Sequence, residues 1–411
     1  MYSESDNNRR EKFMIKPAVI AVGYNRPESL KRLLKSISMA SYPFDAITLV
    51  ISIDGGDLSS ECCEAADSFV WEHGEKVVRH FKERQGLKKH VIQCGDLSEQ
   101  YGAVIVLEDD IFVSPSFYLY TYAAVNHYAD CEWAAGVSLY SHMWNGYADM
   151  PFMPYNNGFD VYLGQFSISW GQCWTWHQWK RFRNWYDVNE GKLPSTTSQM
   201  PESILHWGDH SWGMYYVYFV VAHDLYYIMP YRALSTNFSE AGQHTGKANS
   251  VHQVPLLNGI KKDYSFPDFS GAVKYDIFCE RMFDSGTSIG GIDGREICTD
   301  FYGLKKEAMG KGYILTDRKL NLSVVRSFGM TMRPVEANAV YDIAGSDIFL
   351  YRADNPHMSL IHTRHMTPAR RSYELFAYTA RELVTEGVKR FHPKGYIKKA
   401  VKKLLRPFIK H

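Results

Sequence analysis

The sequence predicts an α/β protein built on a mostly parallel sheet flanked by helices. Three short apolar runs carry that reading: PAVIAVG at 17–23, ITLVISIDGGD at 47–57 and AVIVL at 103–107. Runs this short and this apolar suit strands buried on both faces, as in a parallel sheet. Between the first two lies SLKRLLKSISMA, where Leu30, Leu33, Leu34 and Ile37 fall at i, i+3, i+4 and i+7, one face of a helix. Strand, helix and strand, each strand ending in polar residues, is the pattern of a nucleotide-binding α/β sheet.

The elements follow in order. MYSESDNNRREKF is polar and reads as a disordered lead-in over residues 1–14, with no signal peptide. After the first strand comes Tyr24-Asn25-Arg26-Pro27-Glu28, with Pro27 in the first helical turn, where a missing N–H costs nothing. The second strand ends at Asp54, before Gly55 and Gly56. An Asp there sits where ligands bind in such sheets, or makes a turn with the glycines. The third strand runs into Glu108, Asp109 and Asp110, and Ser114-Pro115 then announces another helix. Three acids at a strand end repel one another unless something positive sits among them. A divalent cation clamped to a diphosphate answers that need, since carboxylates suit Mg²⁺ or Mn²⁺. The alternative is a solvated acidic turn. Neither GxGxxG nor GxxxxGK[ST] is present, which excludes a dinucleotide fingerprint and a P-loop.

The order YNRPESLKRLL, ISIDGG, GLKKHVIQCGDLSEQYGAVIVLEDD resembles the GT-A glycosyltransferases, the family 2 type in particular. VLEDDIFVSPSFYLY is most similar to the EDD motif of N-acetylglucosaminyltransferase I and its relatives. The resemblance covers residues 15–250. It implies a Rossmann-like nucleotide-diphospho-sugar transferase sheet, a nucleotide-sugar donor (usually a UDP-sugar) and Mn²⁺ or Mg²⁺. By the same resemblance, Tyr24, Asn25 and Arg26 edge the nucleotide pocket, and Asp54 hydrogen-bonds the base or ribose. Lys88 faces the base or diphosphate, Glu108 and Asp109 orient donor groups, and Asp110 binds the metal. For Lys88 and its neighbour Lys89 a solvated helix face is the competing reading.

Residues 158–187 are dense in aromatics. Trp176, Trp179, Phe182, Trp185 and Tyr186 recur at helical spacing and are expected in a core, whereas Trp170 or Trp174 is expected to line the donor sugar site. Asp209, in HWGDHSW ahead of an aromatic helical run, matches the catalytic base of the resembling enzymes in context. An inverting transfer needs one such carboxylate to take the acceptor proton. The alternative role for Asp209 is a helix N-cap, and Asp224 is expected at the helix end. Residues 227–248 read as a strand followed by a Gly-rich loop, similar to the lid of these enzymes. His244 in that loop is a second metal ligand, a diphosphate contact or an ordinary surface histidine.

Composition sets the bounds. A chain of 411 residues, 45% hydrophobic, can bury a large core. A net charge of +1 gives no global sign of nucleic acid. Seven cysteines without CxxC spacing suit free thiols in a reducing compartment, so a cytoplasmic protein is expected. Residues 251–385 read as a C-terminal α/β extension of unknown role. Arg295, Glu296 and Asp300 are expected on its surface, and Arg364, His365, Arg370 and Arg371 are candidates for an anionic acceptor. Residues 386–411 form a basic amphipathic tail with Ile397, Val401, Leu404, Leu405 and Phe408 on one helical face. Such a tail suits the anionic inner face of the plasma membrane and a lipid-linked acceptor, or docks as a solvated helix. Flotation with anionic liposomes tests it: binding is expected to vanish on deletion of residues 388–411. The expected function is transfer of a sugar to a glycan or lipid-linked acceptor in surface polysaccharide synthesis. The alternatives are a nucleotidyltransferase acting on sugar phosphates and a non-catalytic nucleotide- or glycan-binding module.

Overall fold

The computed structural model describes residues 14–166, 169–193, 198–238, 240, 252–353, 355, 360, 370 and 373. His244, Arg364, His365, Arg371 and the basic tail lie outside them. The three apolar runs are strands: β1 (Ala18–Gly23), β2 (Leu49–Ile53) and β4 (Ala103–Glu108), with β3 (Lys76–His80) at the sheet edge. They pair in the order β3-β2-β1-β4, all parallel, so their C-terminal ends share one edge. Every residue of β1 and β2 is buried, as a sheet covered on both faces requires. Helix α1 (Pro27–Ser38) starts with its proline in the first turn and seals Leu30, Leu33, Leu34 and Ile37 against the sheet.

After α2 (Ser59–Ser68) and α3 (Leu87–Asp96), the chain passes through β4 into β5 (Ile111–Val113) and α4 (Phe117–His127). The sheet then continues with β6 (Ala134–Ser138), β7 (Val161–Gly164), β8 (Gln172–Thr175) and β9 (Tyr226–Pro230). β8 lies antiparallel between β4 and β6, and β9 runs parallel to β6. The C-terminal ends of β1, β2, β4, β6 and β9 therefore all open on the same edge. β10 (Ser235–Asn237) pairs with β5 in a small separate sheet just past the acidic turn. Beyond residue 250 the main sheet gains β11 (Lys274–Tyr275) and β12 (Arg281–Met282), on the side of β7.

Helix α5 (Trp176–Asn189) begins with a reciprocal Thr175–Gln178 capping box. Its Trp179, Phe182 and Tyr186 are buried among the rings of α6 (Trp212–Ala222), as the helical spacing predicts. Trp174 belongs to the same core. Fully buried on β8, it packs on Trp179 and Trp212 and donates its Nε1–H to Tyr227, so the expectation that it lines an open sugar site fails. A strand residue with a bulky ring fills the sheet–helix interface before it reaches any cleft.

Gly95 shows how tight this packing is. A Cβ there would lie 2.1 Å from the Trp179 ring, whose Nε1–H is held by Asp96 at 2.7 Å. Overpacking of this kind costs about 1–3 kcal/mol, against a helix-propensity return of up to about 1 kcal/mol. Gly95→Ala is expected to lower the urea midpoint of unfolding, with a net loss of about 2 kcal/mol.

His90 of α3 is buried beneath the sheet edge, bonded to the Ser52 hydroxyl at 2.8 Å and facing the Phe81 ring. Burial pulls its pKa down to about 4; nearby Asp54 opposes that shift and Arg79 adds to it. In the unfolded chain the imidazole titrates near 6.5, so the folded state resists protonation. Stability linked to His90 is full above about pH 6.5 and is lost as the pH falls through 4, by about 3 kcal/mol. His90→Gln is expected to flatten the fall in melting temperature across that window.

The C-terminal region carries its own four-stranded sheet, of β13 (Ile297–Thr299), β14 (Tyr313–Thr316), β15 (Val324–Phe328) and β16 (Ile348–Arg352), in the order β13-β14-β16-β15. Asp300 is fully buried at its base in an ion pair with Arg318, which corrects the expectation of a surface acid. Arg370 is likewise buried, with its guanidinium near the Tyr302 and Tyr373 rings. Lone charges in a sequence give no sign of the distant partner that lets them go inside.

Candidate active site

The acidic turn is built where β4 ends. Glu108 is the last strand residue, paired in register with Val22 of β1, and Asp109 and Asp110 form the turn into β5. Phe238, just past β10, donates its N–H to the Asp110 carbonyl at 2.9 Å, which pins the turn from the other side. From the end of β1, the Arg26 guanidinium bonds Asp109 directly and reaches Asp110 at 3.6 Å. The Tyr24 N–H also donates to Asp109 at 3.3 Å. Asn25 takes a positive φ of 52°, which an Asn tolerates, and its side-chain oxygen accepts from the Leu58 N–H. Arg26 is the one cation bonded to this turn among the described residues.

The electrostatics follow from that count. Burial pushes all three carboxyls up; neighbouring acids of the turn add to the rise of Glu108 and Asp109, and Glu240 adds to that of Asp110. Glu108 lies well above the ordinary range, and Asp109, despite Arg26, rises to about 6. Burial works against the Arg26 charge, yet Asp109 and Asp110 outweigh it and raise its pKa. Three acids against one guanidinium leave a deficit of positive charge at the strand end. That is the donor chemistry a hard divalent cation takes. Among the described residues no group of three or more His, Cys, Asp or Glu side chains converges as a closed metal site. A cation here would lean on few protein ligands and on oxygens from outside the chain.

Asp54 sits at the end of β2, buried, with its carboxylate committed to backbone. It accepts the N–H groups of Gly55 (2.8 Å), Gln85 (2.6 Å) and Gly86 (3.0 Å). It thereby fixes the loop that leads into α3. The two glycines after it are needed for close approach: a Cβ on Gly55 would meet the Glu83 backbone at 2.6 Å, and one on Gly56 the Asn25 side chain at 2.3 Å. The IDGG run thus brings the ends of β1 and β2 and the loop before α3 together.

Lys88, in the first turn of α3, ties this edge to the second half of the chain. Its ammonium pairs with Glu190 at 2.8 Å and reaches Asp209 at 3.5 Å. Asp209 is largely exposed and also accepts the Tyr215 hydroxyl. It does not cap α6; the neighbouring Ser211 does, accepting from the Met214 N–H at 3.3 Å. Among the described residues the Asp209 carboxylate is held by these two side-chain donors, Lys88 and Tyr215. Asp224, at the end of α6, instead holds Gln165 and Tyr226.

Tyr24, Asn25, Arg26, Asp54, Lys88, Glu108, Asp109 and Asp110 all lie at or beside one sheet edge, and Asp209 is linked to it through Lys88. Three residues escaped the sequence reading. Tyr215 lies six positions after Asp209, and its spacing marks it only as helical core. Glu190 is 102 residues from Lys88 in the chain. Glu240 closes onto α1 through Arg32 (2.7 Å) and Ser29 (3.1 Å), beside Asp110.

The sequence matches no protein-family model and no curated protein. The fold is similar to S. aureus TarS 1-349 at 12% identity, with a TM-score of 0.35, over 54% of this chain and 59% of that one. For the same protein in complex with UDP-GlcNAc the TM-score is 0.36, over 57% and 61%. The mannosyltransferase PcManGT from Pyrobaculum calidifontis, in complex with GDP-Man and Mn²⁺, is 14% identical with a TM-score of 0.30, over 47% and 51%. The chain spans less than two thirds of the length of each. Likeness at this level carries no argument about activity, which rests on the site itself.

Proposed function

We propose that this protein is a glycosyltransferase that moves a sugar from a nucleoside-diphosphate donor to a glycan or lipid-linked acceptor. One observation supports this above all: three clustered carboxylates at the C-terminal end of β4, Asp109 buried and Glu108 and Asp110 half-buried, lie on the sheet edge that Lys88 links to the side-chain-oriented carboxylate of Asp209. Open α/β sheets bind ligands at that edge. Asp110, with Glu108 and Asp109 behind it, is the candidate to hold Mn²⁺ or Mg²⁺. When bound, the cation supplies neutralising charge to the departing diphosphate. Arg26 holds Asp109 in place, and Asp54 shapes the nucleotide side through the loop it fixes. Asp209 takes the proton from the acceptor hydroxyl as that oxygen attacks the anomeric carbon, and Lys88 and Tyr215 aim its carboxylate. A single displacement of this kind inverts the anomeric centre.

The test is Mn²⁺-dependent hydrolysis of a panel of UDP-sugars, followed by release of UDP, with calorimetric binding alongside. Metal-dependent turnover of one sugar names the class and the donor together. Absence of both turnover and binding of UDP-sugar with metal present would overturn the UDP-sugar reading.

A further inference from the structure

The same edge of the sheet carries a second feature, which the donor site does not use. Past the ends of β6 and β9 lies a cleft of about 830 Å³. One wall is the segment 230–234, which leads directly into β10, the partner of the strand that follows Asp110. Leu234 donates its N–H to Leu139 past the end of β6 at 2.7 Å, and Leu257 to Ala233 at 2.9 Å, so the walls are fixed by backbone. The cleft and the acidic turn are separated by one three-residue strand.

Its lining is specific. The half-buried rings of Phe159, Tyr231 and Tyr264 supply flat apolar surface. Three polar atoms of its lining are sealed from solvent without a partner among the described residues: the hydroxyls of Tyr120, a residue only 1% exposed, and of Tyr264, and Nε2 of His142. A buried hydroxyl left unbonded costs about 1–3 kcal/mol, so each invites a ligand group. The charges inside cancel. Asp160 is paired with Lys261 at 2.5 Å, and burial holds the His142 imidazole neutral, its pKa lowered to about 3. Arg232 lies at the rim.

We propose that this cleft binds an uncharged, hydroxyl-rich sugar ring of the acceptor, with the Tyr120 hydroxyl and His142 Nε2 as its hydrogen-bonding contacts. Flat aromatic faces beside unsatisfied hydrogen-bonding atoms match the two surfaces of a sugar ring. The inference rests on the glycosyltransferase reading for the word acceptor, but its test does not.

The experiment is saturation-transfer NMR and titration of the full chain with methyl glycosides of neutral hexoses and N-acetylhexosamines, and with a methyl uronide for comparison. Wild type, Tyr120→Phe and Arg232→Ala are measured without nucleotide, and UDP-sugar binding with Mn²⁺ is measured separately. At least one neutral glycoside is expected to bind, about fivefold or more weakly in Tyr120→Phe, one hydrogen bond's worth. Because no described residue bonds that hydroxyl, the melting temperature of Tyr120→Phe should equal or exceed that of wild type. If a UDP-sugar binds but no neutral glycoside does, or if Tyr120→Phe binds as well as wild type, the cleft assignment falls and the transferase reading stands. Preference for the uronide, lost in Arg232→Ala, overturns the uncharged ligand. Tyr120-dependent glycoside binding with no nucleotide-sugar binding overturns the acceptor role.

Discussion

Replacing Asp110 with alanine is expected to remove metal-dependent UDP release from a UDP-sugar, by about a thousandfold or more, and to abolish the calorimetric Mn²⁺ response of donor binding. A bound cation contributes several kcal/mol of charge stabilisation, and each 1.36 kcal/mol is tenfold in rate. The fold should survive, because Asp110 is partly exposed and its carboxyl already resists ionisation. Removing one of three repelling acids relieves the turn, so the metal-free variant should melt at or above the wild-type temperature. Donor release that persists at the wild-type rate with Mn²⁺ would remove Asp110 from the reaction.

Asp209→Asn is the second large effect. A positioned general base is worth about 10²–10⁴ in rate. The amide keeps the shape and the Tyr215 contact but cannot take the acceptor proton. Transfer to acceptor should therefore fall by about a thousandfold while the donor KM stays near wild type. Tyr215→Phe, which loosens the carboxylate without removing it, should cost about tenfold, the value of one hydrogen bond of this class. If Asp209→Asn left transfer intact, Glu190, held by Lys88 nearby, would be the next carboxylate to test.

The two variants separate what is read locally from what is read at a distance. The β1–α1–β2 unit was legible because its signals are local: apolar runs of strand length, leucines at helical spacing and a proline at the helix start. The place of Asp109 and Asp110 at a strand end was legible because three consecutive acids follow an apolar run of strand length. Trp174 was not, since nothing in the sequence says that α6 covers that face of β8. The capping of α6 went to Ser211 in place of Asp209, a choice made by one turn of backbone.

The sequence by itself determined the strand and helix pattern, the apolar core of the parallel half and the placing of the acids at a strand end. Those follow from periodicity and from the rule that an apolar run this short must be covered on both faces. Only the tertiary structure decided which charges meet. Arg26 joins Asp109 across 83 residues, Lys88 joins Asp209 across 121, and Asp300, just past β13, finds Arg318 just past the paired strand β14. It alone left the Tyr120 hydroxyl and His142 Nε2 without a described partner in a cleft. Side-chain partners far apart in the chain are selected by strand order and by loop closure over the sheet edge, and neither is written in any local stretch of residues.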